Sequence, residues 1–150
     1  MKKTDLKIRP LELKDLEEVL LIEECSFRPP WSRGTFLSEL EGENRYYVVV
    51  EKEGRVLGYA GFYYFFEEGH ITTMAVAPAW RRKGLGKLLL NHLIEKAREL
   101  GLKSLSLEVR ESNLVAQKMY QNFGFKMIAR RKRYYVQPLE DAIVMILNLT

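Results

Sequence analysis

The chain has 150 residues, 24 Lys and Arg against 20 Asp and Glu, and a formal charge of +4; that length suits one apolar core and is short for two, so residues 1–150 are read as one domain. An apolar share of 47% excludes wholesale disorder, and the apolar runs are short, such as AVA and VVV, which excludes a membrane-spanning helix. The charge is mild: it suits an anionic ligand and demands neither a nucleic acid nor a membrane surface.

The opening MKKTDLKIRP carries two lysines with no apolar stretch behind them, unlike a secretory leader. LKIRPLEL reads as an edge strand broken at Pro10. Leu13–Cys25 predicts a helix with Leu13, Leu16, Val19 and Leu20 along one stripe. Cys25 is expected to be a buried packing residue; a lone cysteine makes no internal disulfide and no Cys-based metal site, and it points to the cytoplasm. After the loop SFRPPW, Ser32 is placed to cap a second helix running to about Leu40, with Trp31 packed on Phe36. RYYVVVE and RVLGYAGFYYFFE, joined by EKEG, predict a hairpin, and EEG leads into HITTMAV as a third strand.

Gly84–Leu100 predicts the strongest helix, with Leu85, Leu88, Leu89, Leu93, Ala97 and Leu100 at the helical period and Gly101 as its stop. His92 inside it is expected at the surface. SLSLEVR alternates, placing Leu105, Leu107 and Val109 on one face and Ser106, Glu108 and Arg110 on the other. Asn113 or Ser112 caps a helix to about Asn122 that Gly124 ends, and FKMIAR and AIVMILNL close the chain as antiparallel strands. The basic run ARRKRYY, Ala129 to Tyr135, reads equally as a solvated turn or a functional patch. The pattern is α+β: a mostly antiparallel sheet punctuated by helices, with one strand–helix–strand unit that implies a parallel pair.

The segment MAVAPAWRRKGLGKLLL carries the most chemistry. A strand ends at Val76, and RRKGLG opens a strong helix. Gly84 and Gly86 let a ligand approach the backbone, the first amides of the helix have no internal partner, and the helix dipole favours an anion there. Arg81, Arg82, Lys83 and Lys87 add positive charge, so a diphosphate is the natural guest. Leu88 after Lys87 excludes a Walker loop, and Leu89 excludes the third glycine of a dinucleotide loop.

RRKGLG, after a strand and before a long amphipathic helix, resembles the acetyl-CoA pyrophosphate signature of the GNAT acetyltransferases. PPWS, LEVR, Ser112–Asn113, MYQNFGF, RRKRYY and EDAIVMIL extend the resemblance over nearly the whole chain, toward the RimI-type branch that acetylates the N-terminal alanine of a small-subunit ribosomal protein. HITTMAV resembles archaeal-type N-terminal acetyltransferases of broader range, and Pro29 departs from the Phe of that branch's Phe-Pro-Trp. The resemblance implies a twisted sheet of about seven strands and four helices with a splayed parallel pair. It implies acetyl-CoA as cosubstrate, no metal, a protein N-terminus as partner, and a monomer or weak homodimer. Met74, Ala75 and Val76 would meet the pantetheine arm through their backbone, Arg81, Arg82, Lys83, Gly84, Leu85, Gly86 and Lys87 the pyrophosphate, and Asn113 the cofactor while capping its helix.

Transfer to an amine first requires that the amine lose a proton, and an α-amine has a pKa of about 8. The resemblance places the general base at Glu108, whose pKa is expected to be raised in a partly dry cleft, and the general acid at Tyr120. Pro30, Trp31, Tyr134 and Tyr135 would line the peptide side, with Asp141 orienting the tyrosines. His70, about 20 Å from Val76 along an extended strand, is expected to be structural or peripheral. A lysine or small-amine acceptor, an acyl-CoA sensor and a nucleic-acid binder using ARRKRYY are the competing readings.

Overall fold

The structure is a computed structural model and describes residues 5–150; the opening MKKT, part of the stretch read as unlike a secretory leader, lies outside them. Strands β1 (Lys7–Pro10), β2 (Arg45–Lys52), β3 (Arg55–Phe65), β4 (Glu68–Val76), β5 (Ser104–Arg110), β6 (Lys126–Val136) and β7 (Leu139–Asn148) make one sheet in the order β1-β2-β3-β4-β5-β7-β6. Helices α1 (Leu16–Ser26) and α2 (Arg33–Glu41) lie between β1 and β2 in the chain, α3 (Leu85–Glu99) between β4 and β5, and α4 (Leu114–Asn122) between β5 and β6. The pairs β1–β2, β2–β3, β5–β7 and β6–β7 are antiparallel, and β4–β5 is parallel. This is the mixed sheet with one parallel pair that the pattern of elements predicts.

The residues cluster into two compact units, one reaching to Tyr63 and including Thr72–Leu93, the other made of Tyr64–Ile71 and Ile94–Thr150. In the first, Leu11, Leu16, Val19, Ile22, Phe36, Tyr47, Val49, Val56, Tyr59 and Ala75 form the core. Ser32 caps α2 by accepting the Thr35 amide at 3.1 Å, and the Trp31 ring meets Phe36 edge-on at 5.1 Å, as the cap and the flanking aromatic predict. The β2–β3 turn takes Glu53 and Gly54 at φ 51° and 80°, the left-handed pair that a two-residue hairpin needs. In the second unit β5 buries Leu105, Leu107 and Val109 and half-exposes Ser106, Glu108 and Arg110. Asn113 accepts the Ala116 amide at 3.1 Å and caps α4.

Several expectations are corrected. Leu13 sits in a 3-10 turn and is 65% exposed, because α1 begins only at Leu16 and its inward face is Leu16, Val19, Ile22 and Glu23. Cys25 is exposed rather than buried, since it falls off that face. The segment EEG is no connector: Phe66 and Glu67 make the turn and β4 starts at Glu68. In α3, Leu90 and Ile94 join the buried face while Leu100 is exposed. ARRKRYY is not a turn but the middle of β6, the last strand of the sheet, with a bulge between Arg131 and Tyr135 and Arg133 at φ 53°.

Gly58 positions β4. A Cβ added there would stand 2.8 Å from the Ala75 carbonyl oxygen and 3.3 Å from Leu89, and the backbone cannot swing aside as a side chain would. Gly58→Ala is expected to lower unfolding stability by about 1–3 kcal/mol, read from denaturant midpoints; an unchanged midpoint would show that β4 tolerates displacement there.

Candidate active site

In the first unit, the turn after β4 exposes Arg81, Arg82, Lys83 and Lys87. Arg82 and Gly84 both take left-handed conformations, at φ 64° and 84°, and nothing lies within 4 Å of where a Cβ on Gly84 would stand. The chain then enters α3, whose Leu88 amide donates to Gly84 at 3.1 Å, while the amides just before it have no upstream carbonyl in the helix. An open left-handed turn, unsatisfied first-turn amides and exposed cations fit a diphosphate. Arg81 differs from its neighbours: its Nε donates to the Val76 carbonyl at 3.0 Å and its Nη2 to Ser26 Oγ at 3.1 Å, bracing the end of β4 against α1. Lys83 and Lys52 hold their ammonium groups 5.4 and 5.6 Å from the centroid of Trp80. On β4, Met74 and Val76 are half-exposed while Ala75 is buried.

In the same unit Pro30 is exposed and Trp31 half-buried. Trp31 donates its amide to Oε2 of Glu23 at 2.9 Å, a buried carboxylate that the motifs of the sequence do not include. The signal for it is a charged residue on the apolar stripe of α1. His92 is no plain surface residue either: it stacks on Tyr46, whose hydroxyl lies 2.7 Å from its Nε2.

The second unit carries Glu108, Tyr120 and the Tyr134–Tyr135 pair. The parallel register runs Glu68–His70 against Ser104–Ser106, so His70 stands opposite Ser106, two residues from Glu108. His70 Nε2 lies 2.7 Å from Glu108 Oε2, and its Nδ1 lies 2.9 Å from Ser106 Oγ. Each ring nitrogen thus has a partner, a carboxylate at Nε2 and a hydroxyl at Nδ1. Of the structural or peripheral placement expected for His70, the register rules out the peripheral one, since distance along its own strand says nothing about the neighbouring strand. Arg131 Nε sits 3.6 Å from Glu108 Oε1. Burial pushes the Glu108 carboxyl up, but the hydrogen bond and charge of His70 and the charge of Arg131 together hold it below the ordinary value. That overturns the raised pKa expected from a dry cleft, which leaves these two partners out.

Burial pushes the Tyr120 phenol up to about 12, and its ring packs on Phe125. Its hydroxyl makes no hydrogen bond among the described residues. Tyr135 is likewise pushed to about 12 by burial and by the neighbouring Tyr134 and Glu108, and Arg110 stacks over it at 4.2 Å. Tyr134 meets Tyr135 edge-on at 5.1 Å. Asp141 accepts the Arg133 amide at 2.9 Å and so fixes the β6 bulge just before them. Arg110 pairs with Glu140 at 3.2 Å, which leaves Glu108 to His70 and Arg131. No group of three or more His, Cys, Asp or Glu stands together as a metal site among the described residues, and no described helix is long and apolar enough to cross a membrane.

The mixed seven-stranded sheet with its β4–β5 parallel pair is that of an acyl-group transferase. Residues 16–125 match the acetyltransferase (GNAT) family, and the chain belongs to it. The ribosomal protein bS18-alanine N-acetyltransferase of Escherichia coli is 35% identical over 145 residues, 95% of this chain and 97% of that one. The crystal structure of the ribosomal-protein-S18-alanine N-acetyltransferase from Escherichia coli matches with a TM-score of 0.89, covering 97% of this chain and 94% of that one. Ard1 from Thermoplasma volcanium also matches with a TM-score of 0.89, at 28% identity, covering 97% and 99%.

The folded-state pKa of Glu108 lies below its unfolded value, so its ionised form adds stability above the ordinary carboxylate range, and that stability is lost as pH falls through the lowered folded value. Replacing His70 by Ala is expected to raise the Glu108 titration point, read by carboxyl NMR across an acid titration; an unmoved titration would deny the pairing.

Proposed function

We propose that the chain transfers an acetyl group from acetyl-CoA to the N-terminal α-amine of a protein, with the N-terminal alanine of ribosomal protein bS18 as its substrate and the cytoplasm as its setting. The observation that carries the reading is the 2.7 Å His70–Glu108 pair, in a chain whose relatives include alanine N-acetyltransferases. When bound, acetyl-CoA supplies an activated acetyl thioester. The amides from Arg82 to Lys87 hold its diphosphate, and the backbone of Met74 and Val76, flanking buried Ala75, offers strand-like partners to its amide arm. Asn113 is committed to its cap and contributes through the amides that the cap orients.

Glu108 takes the proton from the α-ammonium, with His70 Nε2 hydrogen-bonded to the carboxylate and holding it in place. A carboxylate held below its ordinary pKa is ionised at neutral pH, ready to accept, and the amine's own pKa of about 8 keeps the demand small. Tyr120 Oη holds the proton that a departing sulfur needs. Pro30 and Trp31 on one loop and Tyr134 and Tyr135 on β6 receive the peptide. HITTMAV, which resembles archaeal-type N-terminal acetyltransferases of broader range, favours a second reading, an N-terminal acetyltransferase that also accepts termini other than alanine.

Acetyl transfer to short peptides that differ only in their first residue tests both. Alanine-led peptides are expected to be acetylated at the α-amine, and a matched peptide with a blocked N-terminus and a free lysine is expected to be inert; the reverse order would sink the reading. Glu108→Gln is expected to cut kcat by about 100-fold while acetyl-CoA affinity holds, and Tyr120→Phe by about tenfold; full activity in either variant would remove that residue from the reaction.

A further inference from the structure

Glu23 lies on the inward face of α1, seven residues after Leu16, where an apolar side chain would pack at no electrostatic cost. It is 2% exposed, and its partners are all neutral donors. Oε2 accepts the Trp31 amide at 2.9 Å; Oε1 accepts the Tyr59 hydroxyl at 2.5 Å and the Thr73 hydroxyl at 3.4 Å. Burial pushes its carboxyl above the ordinary range, with the three hydrogen bonds pulling back. A buried carboxylate without a cation is costly, so what it holds has to offset that cost. What it holds is the junction of four segments: α1, the end of the SFRPPW loop, β3 through Tyr59 and β4 through Thr73. Trp31 is the residue just before the α2 cap, and its ring rests on Phe36 and Tyr47 at 5.1 and 6.5 Å. Those ring contacts fix the indole, and the Trp31 amide bond to Glu23 ties down the backbone at the end of the exposed Pro29–Pro30 stretch.

We propose that Glu23 is a positioning residue for peptide binding, its carboxylate pinning the Pro30–Trp31 end of the loop to β3 and β4. The proposal rests on the reading that this loop receives the peptide. Oε2 serves the loop and Oε1 serves the strands, so the two arms are separable. Glu23→Gln loses the anionic acceptor for Trp31, whereas Tyr59→Phe removes one donor from the strand arm and leaves the loop arm intact.

Both variants are made in the full chain, with steady-state kinetics on an alanine-led peptide. Trp31 fluorescence is read in a Trp80→Phe background, where Trp31 is the sole remaining indole. Glu23→Gln is expected to raise the peptide KM about tenfold, leave the acetyl-CoA KM within about twofold, and shift Trp31 emission to the red with easier acrylamide quenching. Tyr59→Phe is expected to lower the thermal midpoint and leave the peptide KM within about twofold. A wild-type peptide KM and wild-type Trp31 emission in Glu23→Gln would overturn the proposal, as would a Tyr59→Phe variant with an equal rise in peptide KM. If Glu23→Gln does not fold, Glu23→Asp draws the carboxylate back by one methylene; the same rise in peptide KM and red shift are expected of it, and wild-type values of both would overturn the proposal. An unsubstituted enzyme that acetylates no peptide would sink the reading of the loop, while Trp31 emission would still decide whether Glu23 holds it.

Discussion

Strict alternation along β4 governs the placement of nearly every group of interest. Gly69, Ile71, Thr73 and Ala75 are buried, and His70, Thr72, Met74 and Val76 are half-exposed between them. The period of two allows no exception: sliding the strand by one residue would exchange the two sets. On one side Thr73 reaches Glu23 and Ala75 crowds Gly58. On the other His70 reaches Glu108, Thr72 reaches Tyr47 at 2.8 Å, and Met74 and Val76 present the strand ahead of the basic turn. The constraint is steric before it is chemical. Gly58 can be nothing larger without moving a carbonyl of this strand, and the Arg81 brace on Val76 fixes its far end.

Charge then decides what Glu108 is suited to. A carboxylate that is only 12% exposed would, with burial alone, drift toward the protonated form. Two partners reverse that drift, and they come from different strands: His70 from β4 and Arg131 from the basic stretch of β6. The run ARRKRYY thus contributes to the site through its strand geometry. Beside the bulge that Asp141 secures, Arg131 reaches both Glu108 and the Tyr134 ring, and Tyr135 meets Tyr134 edge-on beneath Arg110. Charge at this edge also serves a plainer purpose, since an exposed last strand with cations and a bulge resists pairing with other strands.

Much of this is legible from residues a few positions apart. Ser32 and Asn113 as caps, Gly101 and Gly124 as stops, and the alternation of SLSLEVR act within a turn or a strand, and the structure agrees with each. What stays hidden in the sequence is set between elements. His70 looks remote from the chemistry when only its own strand is measured, while the register against β5 brings it to Glu108. Glu23 looks like one more charge on a charged helix; its role appears only once Tyr59, Thr73 and Trp31 converge on it. The expected direction for the Glu108 pKa is wrong for the same reason, since desolvation can be guessed from a strand face but partners cannot. Leu13 and Cys25 show the complementary error: a three-residue 3-10 turn ahead of α1 rotates the stripe, and positions counted from the wrong start land on the wrong face.

The left-handed turn before α3 has a further implication. Arg82 is held at φ 64°, a region that costs a residue with a Cβ about 1 kcal/mol or more, and glycine would occupy it without that cost. Random drift toward a sturdier fold would favour glycine at this spot, at the expense of one cation beside the amides. An arginine standing there keeps a cation beside the first amides of α3 at the expense of a strained backbone.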